Sequence, residues 1–519
     1  MAGLDALALR RQARRLLAPW DRPGSPGAAL GLVREGALAL HESAGLASLE
    51  LGVPIGPETC FRVASVSKQF TCAAILLLAA EGRLSVGDPI HRHLPELPDF
   101  GAPISIDHLM HNTSGLRDML ELMRLGGADL SQPWAQADLL AAIGRQRSLN
   151  FPPGSRFRYS NTGFLLLGRI VEVVGGMPLA EFLETRIFAP LGMTRTRHTP
   201  GTSEIVPHLA TGYLPQGTGF VRAAHGFPLG GEGGLVSGVE DLALWERNYR
   251  EDLLPGIAGA LQHAEAFTNG APNLYARGLE VTTYRGLRTV DHGGLWPGFK
   301  TCFLRVPERD LTIIAIANHG GIDVHHLAHQ MLDVAAGPGL HPVPAMPKLE
   351  GLAGRWLDPA SGATVEFVAD ATPAATQHGV PFPLAATADG RLAARRGVFP
   401  FTVGPPEGDT LVLETDAGTR TTFHRAPADP VLPAGLAGDW HCAELATTWT
   451  IAPTEAGLAV QVRGPLTVAG PWPIEPIAGE AIRIRTPGTL FQGWLDARLE
   501  GDTLVVSGAR AGGLRFTRG

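Results

Sequence analysis

The last third of this 519-residue chain is written twice, and no other feature narrows its architecture as far. Gly351-Leu352-Ala353-Gly354-Arg355-Trp356 recurs as Gly435-Leu436-Ala437-Gly438-Asp439-Trp440, 84 residues later. Glu407-Gly408-Asp409-Thr410-Leu411-Val412 recurs as Glu500-Gly501-Asp502-Thr503-Leu504-Val505, 93 residues later. Both copies close on Phe-x-Arg, at Phe423 to Arg425 and at Phe516 to Arg518. Short runs in each copy alternate apolar and polar residues, as in Thr364 to Val368 and Leu458 to Val462. That period of two marks β-strands, whose successive side chains leave opposite faces. Two similar small antiparallel barrels or sandwiches, each opening on a buried tryptophan, is the economical reading. One large β domain is the alternative, disfavoured by Pro427, Pro430 and Pro433 between the copies.

Upstream, Gly337-Pro338-Gly339 followed by Pro342, Pro344 and Pro347 has linker composition. The units so delimited are 1–336, 349–426 and 434–519. In the first, Ala28 to Leu40 and Thr312 to Asn318 read as strands, while Phe70 to Glu81 and Phe164 to Val174 read as helices. The whole is therefore a multidomain α+β chain. Its 45% apolar content suffices for several cores. A net charge of −7 from interspersed residues argues against a nucleic-acid coat or a basic membrane-surface protein. The longest apolar stretch, Cys72 to Ala80, is too short to span a bilayer. Arginines among the first 15 residues suit an amphipathic helix better than a secretory leader. Four scattered cysteines without a Cys-x-x-Cys pair point to a reducing, cytoplasmic setting.

Three short motifs carry chemistry. Ser65-Val66-Ser67-Lys68 precedes a helical pattern, so Ser65 sits at the helix start with Lys68 one turn on, on the same face. A serine hydroxyl needs a base to become a nucleophile, and a buried lysine can shed its proton where arginine stays charged. Only three of the 43 basic residues are lysine, Lys68, Lys300 and Lys348, so a lysine here marks a task that arginine does not serve. The bland alternative is a surface lysine after a capping serine. Tyr159-Ser160-Asn161 lies on a turn before a helix: a tyrosine beside an ammonium can shuttle protons, and an Asn amide can orient a carbonyl. His292-Gly293-Gly294 lies between strand-like segments, where two glycines allow a backbone to approach a ligand. A loop aromatic and a Gly-Gly hairpin turn are the respective alternatives.

The three motifs occur in this order, 94 and 133 residues apart. Ser-x-x-Lys is shared by β-lactamases and penicillin-binding proteins. Tyr-x-Asn resembles the second element of class C β-lactamases and D-stereospecific peptidases, and His292 replaces the lysine of the third. Ile104 to Leu116 and Gly233-Gly234-Leu235-Val236-Ser237 resemble that superfamily as well. Residues 25 to 335 are thus similar to the penicillin-recognising serine hydrolases, whose catalytic domain joins an antiparallel sheet flanked by helices to an all-helical part. Cys60 to Cys72, the His-Gly-Gly box and two C-terminal β modules together resemble the bacterial D-aminopeptidases, in which two eight-stranded antiparallel barrels follow the catalytic domain.

The resemblance implies a role for each residue. Ser65 would be the acylated nucleophile, Lys68 and Tyr159 the proton-transfer pair, and Asn161 a substrate contact. His292 would stand where relatives carry a carboxylate-reading lysine, and the backbone N–H groups of Ser65 and Leu295 would form the oxyanion hole beside Gly293 and Gly294. Implied too are an acyl-enzyme route, no cofactor and a small-molecule or short-peptide substrate; edge strands in the barrels could support a homodimer. The activity would be release of N-terminal D-residues such as D-Ala from peptides, amides and esters. An esterase or D-amino-acid amidase of the same fold is the alternative, and a silent scaffold is the alternative from another class. Glu280, expected on the strand beside His292, is a candidate partner for the substrate amine, or else a solvent-facing carboxylate. In the family a loop of the last barrel reaches the active-site mouth; the candidate here is Arg485-Thr486-Pro487-Gly488-Thr489.

Other features carry less. His325, His326 and His329 have a spacing that could ligate zinc, but a plain helix face is the expectation. Cys60 and Cys72 flank the nucleophile and read as core packing. No Gly-x-Ser-x-Gly elbow is present, which disfavours an α/β-hydrolase.

Overall fold

A six-stranded antiparallel sheet organises the first unit of the computed structural model, which describes residues 6–370, 372–394, 400–415, 417–465, 467–487 and 493–519. Its strands are β1 (Ala28–Arg34), β2 (Ala37–Ala44), β3 (Glu280–Tyr284), β4 (Leu287–Trp296), β5 (Phe299–Val306) and β6 (Leu311–Ala317), in spatial order β3-β4-β5-β6-β1-β2. The sheet closes the unit on itself, with Ala28 at the start of β1 opposite Ala317 at the end of β6. The stretch read as strand over 28–40 is in fact a hairpin. Glu35 and Gly36 take φ of 53° and 78°, the paired positive values a two-residue turn requires. The apolar run on both sides hides that turn in the sequence.

Helices cover both faces of the sheet: α1 (Ala6–Leu17), α2 (Ser67–Ala80), α3 (Met119–Leu125), α4 (Asn161–Gly175), α5 (Val239–Glu251) and α6 (Val324–Ala335). The first and last pack on one face, burying Leu9, Leu16, Leu327 and Met331 against Ile313 and Ala315. Arg10 and Arg14 on the outer side of α1 pair with Glu42 at 3.3 and 2.9 Å; residues 1–5 of the expected amphipathic helix lie outside the described residues. The other face packs on α2 and its neighbours through Phe303, Ile314 and Ile316. Helix α2 is buried from Ser67 through Leu76, so the apolar run at 72–80 is the central helix of a packed core. Among the described residues no single helix is long and apolar enough to cross a membrane.

The two copies fold alike but not identically. Gly438 to Arg518 forms a closed eight-stranded barrel, whereas the strands from Gly354 to Arg425 form a nine-stranded antiparallel sheet, nearly closed, in place of the eight implied by resemblance. The repeated tryptophans occupy equivalent sites. Trp356 donates to Leu352 O at 2.9 Å and Trp440 to Leu436 O at 2.8 Å, and each lies under the closing arginine, Arg425 or Arg518. The first copy keeps its own core. The second shares one continuous core with the catalytic unit, in which Trp440, Trp449 and Leu514 join the cluster of Phe70 and Leu122.

Candidate active site

Ser65 lies in a short 3₁₀ turn, Ala64–Val66, that runs into α2. Ala64 before it takes φ of 50°, a conformation rarely adopted by a residue with a side chain and kept only where neighbours enforce it. The enforcement is visible. Ser67 Oγ donates to Ala64 O at 2.6 Å and accepts from Leu235 N at 3.1 Å, and Val63 N donates to Leu235 O at 3.1 Å. The strand Leu235–Ser237, part of the segment noted in the sequence, thereby holds the nucleophile turn.

Lys68 is fully buried, and its Nζ donates to Ser65 Oγ at 3.1 Å, Asn161 Oδ1 at 3.0 Å and Glu232 O at 2.6 Å. Burial drives the ammonium pKa down, with the Glu232 carboxyl opposing and Arg510 adding to the shift. The same burial pushes the Glu232 carboxyl up. Lys68 is therefore poised to exist as a neutral amine in contact with the serine hydroxyl. The Tyr159 ring centroid lies 5.0 Å from Lys68 Nζ. Burial pushes its phenol well above the ordinary tyrosine range, against the opposing influence of Ser65 and the Arg510 charge. It remains a protonated hydroxyl that can relay a proton rather than a standing phenolate.

One residue clamps the tyrosine turn from both sides. Arg158 N donates to Asn112 O at 3.0 Å, and Ser160 N donates to Asn112 Oδ1 at 3.0 Å. Asn112 itself takes φ of 55°, which a short polar side chain tolerates. Asn161 opens α4; its N–H donates to Asp118 Oδ2 at 2.8 Å while its Oδ1 accepts from Lys68. The Asn161 side-chain NH₂ is the group left to meet a substrate carbonyl.

Strand β4 supplies the opposite wall, and its alternation divides the His-Gly-Gly box. His292 and Gly294 face Ser65, whereas Gly293 is turned to the far face, where an added Cβ would lie 2.5 Å from His325 Nε2. At Gly294 an added Cβ would lie 2.2 Å from Val63 O, so only glycine lets β4 pass this close to the nucleophile turn. Trp296 and Phe299 close the Pro297-Gly298 turn, which makes Leu295 and Lys300 a non-hydrogen-bonded pair. The Leu295 N–H consequently points away from β5, at a level beyond the last β3–β4 pair, Glu280 with Asp291. The Ser65 N–H, the other donor expected of an oxyanion site, lies in the nucleophile turn against which Gly294 packs. His292 is buried and its Nε2 meets Tyr275 Oη at 2.9 Å. Tyr275 packs edge-on against Tyr159 at 6.3 Å. It was missed in the sequence because it belongs to no motif, although it lies in the segment that drew notice for Glu280.

One expectation needs correction. Glu280 does sit on the neighbouring strand, but it pairs with Asp291 and shares the face of Tyr284, which packs on the α1–α6 core. Register thus turns it from the side that His292 and Gly294 present to Ser65, although its charge still reaches Tyr159 and Tyr275. The candidate barrel loop over 485–489 is described only in part. Gly488 and Thr489 lie outside the described residues, and Thr486 is buried against Arg124 of α3, 3.0 Å from its Nη1. Among the described residues, the segment that enters the site runs from Gly508 to Gly513, between the last two strands of the second barrel, and carries Arg510 to 4.9 Å from the Tyr159 ring centroid.

Cys60 and Cys72 are buried, and burial raises both thiols, Cys60 to about 11. His329 stacks on Tyr284 at 4.3 Å while exposed His326 bonds Gln330. No group of three or more His, Cys, Asp or Glu among the described residues could hold a metal ion.

The beta-lactamase family model matches residues 11–336. A D-aminopeptidase of Cereibacter sphaeroides is 30% identical over 95% of this chain and 93% of its own. The D-aminopeptidase of Gluconobacter oxydans is 28% identical over 90% and 87%. Among solved structures, an octameric penicillin-binding protein homologue from Pyrococcus abyssi aligns with a TM-score of 0.55 over 99% of this chain and 100% of its own, at 20% identity. The D-amino acid amidase of Ochrobactrum anthropi, solved with L-phenylalanine amide, aligns with a TM-score of 0.53 over 63% and 98%, at 25% identity.

Proposed function

Because the chain belongs to the beta-lactamase family, and within it to the D-aminopeptidases, we propose that it releases N-terminal D-amino acids such as D-Ala from short peptides, amides and esters through an acyl-enzyme on Ser65. The observation that carries the mechanism is the 3.1 Å contact between a fully buried Lys68 and Ser65. As Ser65 Oγ forms its bond to the substrate carbonyl carbon, its proton passes to the Lys68–Tyr159 pair. The carbonyl oxygen takes up negative charge between the N–H groups of Ser65 and Leu295. Collapse of the tetrahedral intermediate breaks the C–N or C–O bond, and the stored proton goes to the leaving amine or alcohol. Water then repeats the sequence on the ester, returning the D-amino acid and the free serine.

A second reading, an amidase or esterase indifferent to the α-amine, is favoured by the face on which Glu280 lies, since that carboxylate is turned from the acyl site. Initial rates on D- and L-Ala-p-nitroanilide, with wild type and Ser65→Ala side by side, test the proposal. D-selective release abolished by the substitution supports it; equal D and L rates contradict it. Equal rates on N-acetyl-D-Ala-p-nitroanilide establish the second reading. The proposal extends to a reducing cytoplasmic location, supported by four free thiols, and to self-association as a homodimer, for which the octameric relative offers a precedent of assembly.

A further inference from the structure

The hairpin loop Gly508–Gly513 is fixed to the catalytic unit by its backbone. Ala509 N donates to Glu121 Oε1 at 3.1 Å and Arg510 N to Glu121 Oε2. Asp118 N and Asn150 Nδ2 donate to Arg510 O at 3.3 and 3.2 Å. Gly512 N donates to Asn150 Oδ1 at 2.8 Å, and Gly512 O accepts from Arg117 Nε at 2.9 Å. All of these use main-chain groups of the loop, so none requires an arginine at 510. The duplication makes the same point. The offset of 93 residues sets Arg510 over Ala417, whose carbonyl docks the first barrel's turn on Asn269 at 2.8 Å without a charge.

The Arg510 side chain does something separate. Its guanidinium carbon is 4.9 Å from the Tyr159 ring centroid, and its Nη1 is 3.7 Å from Asp118 Oδ2. That same oxygen accepts the Asn161 N–H, and Asn161 Oδ1 holds Lys68. A line of contacts thus runs from the last barrel through Asp118 and Asn161 to the lysine and the nucleophile. We propose that Arg510 is a positioning residue for the proton-transfer pair, holding the Tyr159 ring and the Asp118–Asn161–Lys68 line from the second barrel.

A cation there favours the deprotonated form of both partners, and it lowers the Tyr159 and Lys68 pKa alike. Facing Tyr159 with it are Lys68 from α2, Tyr275 and His292; the carboxylates of Asp118 and, from the far face of β3, Glu280 act in the opposite sense on the phenol. At Lys68 the opposing charges are Glu232, Asp118 and Cys72. Arg510 itself meets Asp118 and Glu121, with Arg158 beside Gly512. Loss of the guanidinium therefore raises the pH at which the pair gives up its proton.

The inference rests on the serine-hydrolase reading, yet its test needs no D-substrate. Rates of Ser65 labelling by a fluorophosphonate probe are measured across pH for wild type, Arg510→Ala and Arg510→Lys, with thermal unfolding recorded for each. Arg510→Ala installs the residue the first barrel already uses at the equivalent turn. Its rising limb is expected to move up by about one pH unit, with labelling at neutral pH slowed about tenfold. Arg510→Lys is expected to return the limb to within a few tenths of a unit of wild type. An Arg510→Ala midpoint equal to wild type overturns the proposal, as does a shift that Arg510→Lys leaves uncorrected. No labelling of wild type, or equal labelling of wild type and Ser65→Ala, overturns the serine-hydrolase reading itself, whereas D- and L-anilide rates that are equal while labelling persists overturn only the substrate assignment.

Discussion

At the scale of single residues, Lys68 shows why a lysine survives in a chain that otherwise uses arginine. Its three acceptors are one hydroxyl, one amide oxygen and one backbone carbonyl, none of which neutralises it, so burial favours the uncharged amine. A guanidinium at this place stays protonated and cannot act as the base. Lys68→Arg is accordingly expected to lower kcat on the order of 10²–10⁴-fold with little change in KM, measured by steady-state rates. The sign of the pH dependence follows. The working form is the neutral amine, so kcat/KM rises as pH rises through the depressed lysine pKa and levels off above it. A profile that falls over the same range contradicts the assignment. Ser65, Lys68 and Tyr159 were legible in the sequence because each motif carries its own chemistry. Asp118 and Tyr275 were not, because their importance lies in what they touch, Asn161 in one case and His292 in the other.

At the scale of elements, strand β4 and its neighbours decide what faces the nucleophile. The residue pattern marks strand-like segments on both sides of the His-Gly-Gly box, but it carries no register. A one-residue difference in pairing exchanges the faces of every side chain. That is why Glu280 and Gly293, both singled out for the site, stand on the opposite face of the sheet, while His292 and Gly294 stand on it. The hairpin at Glu35-Gly36 is marked in the sequence only by Arg34-Glu35-Gly36 between two apolar runs. Gly294 itself is a steric necessity, with 2.2 Å left between a hypothetical Cβ and Val63 O. Gly294→Ala is expected to push β4 from the nucleophile turn, misplacing the Leu295 donor and lowering kcat about 10²–10³-fold. Gly293→Ala, pressed on a flexible His325 side chain, is expected to cost far less activity. Near-equal losses from the two substitutions contradict the oxyanion assignment.

At the scale of the whole molecule, the duplication was legible down to the paired tryptophans, yet the two copies serve different ends. The second shares a hydrophobic core with α2 and α3 and delivers Arg510 to the site. The first keeps a separate core and meets the second through buried polar contacts, Thr364 with Asp496 at 2.7 and 2.8 Å and Arg483 with Glu366 at 2.6 Å. Which loop of the barrel reaches the catalytic unit depends on how two folded bodies dock, and no local pattern encodes that. The measurement that addresses the central claim most directly is intact mass after rapid quenching of the enzyme with D-alanine p-nitrophenyl ester. The account predicts a gain of one alanyl group, mapped to Ser65 by peptide digestion and absent from Ser65→Ala. Turnover with no adduct under any quench time, or an adduct on another residue, contradicts it.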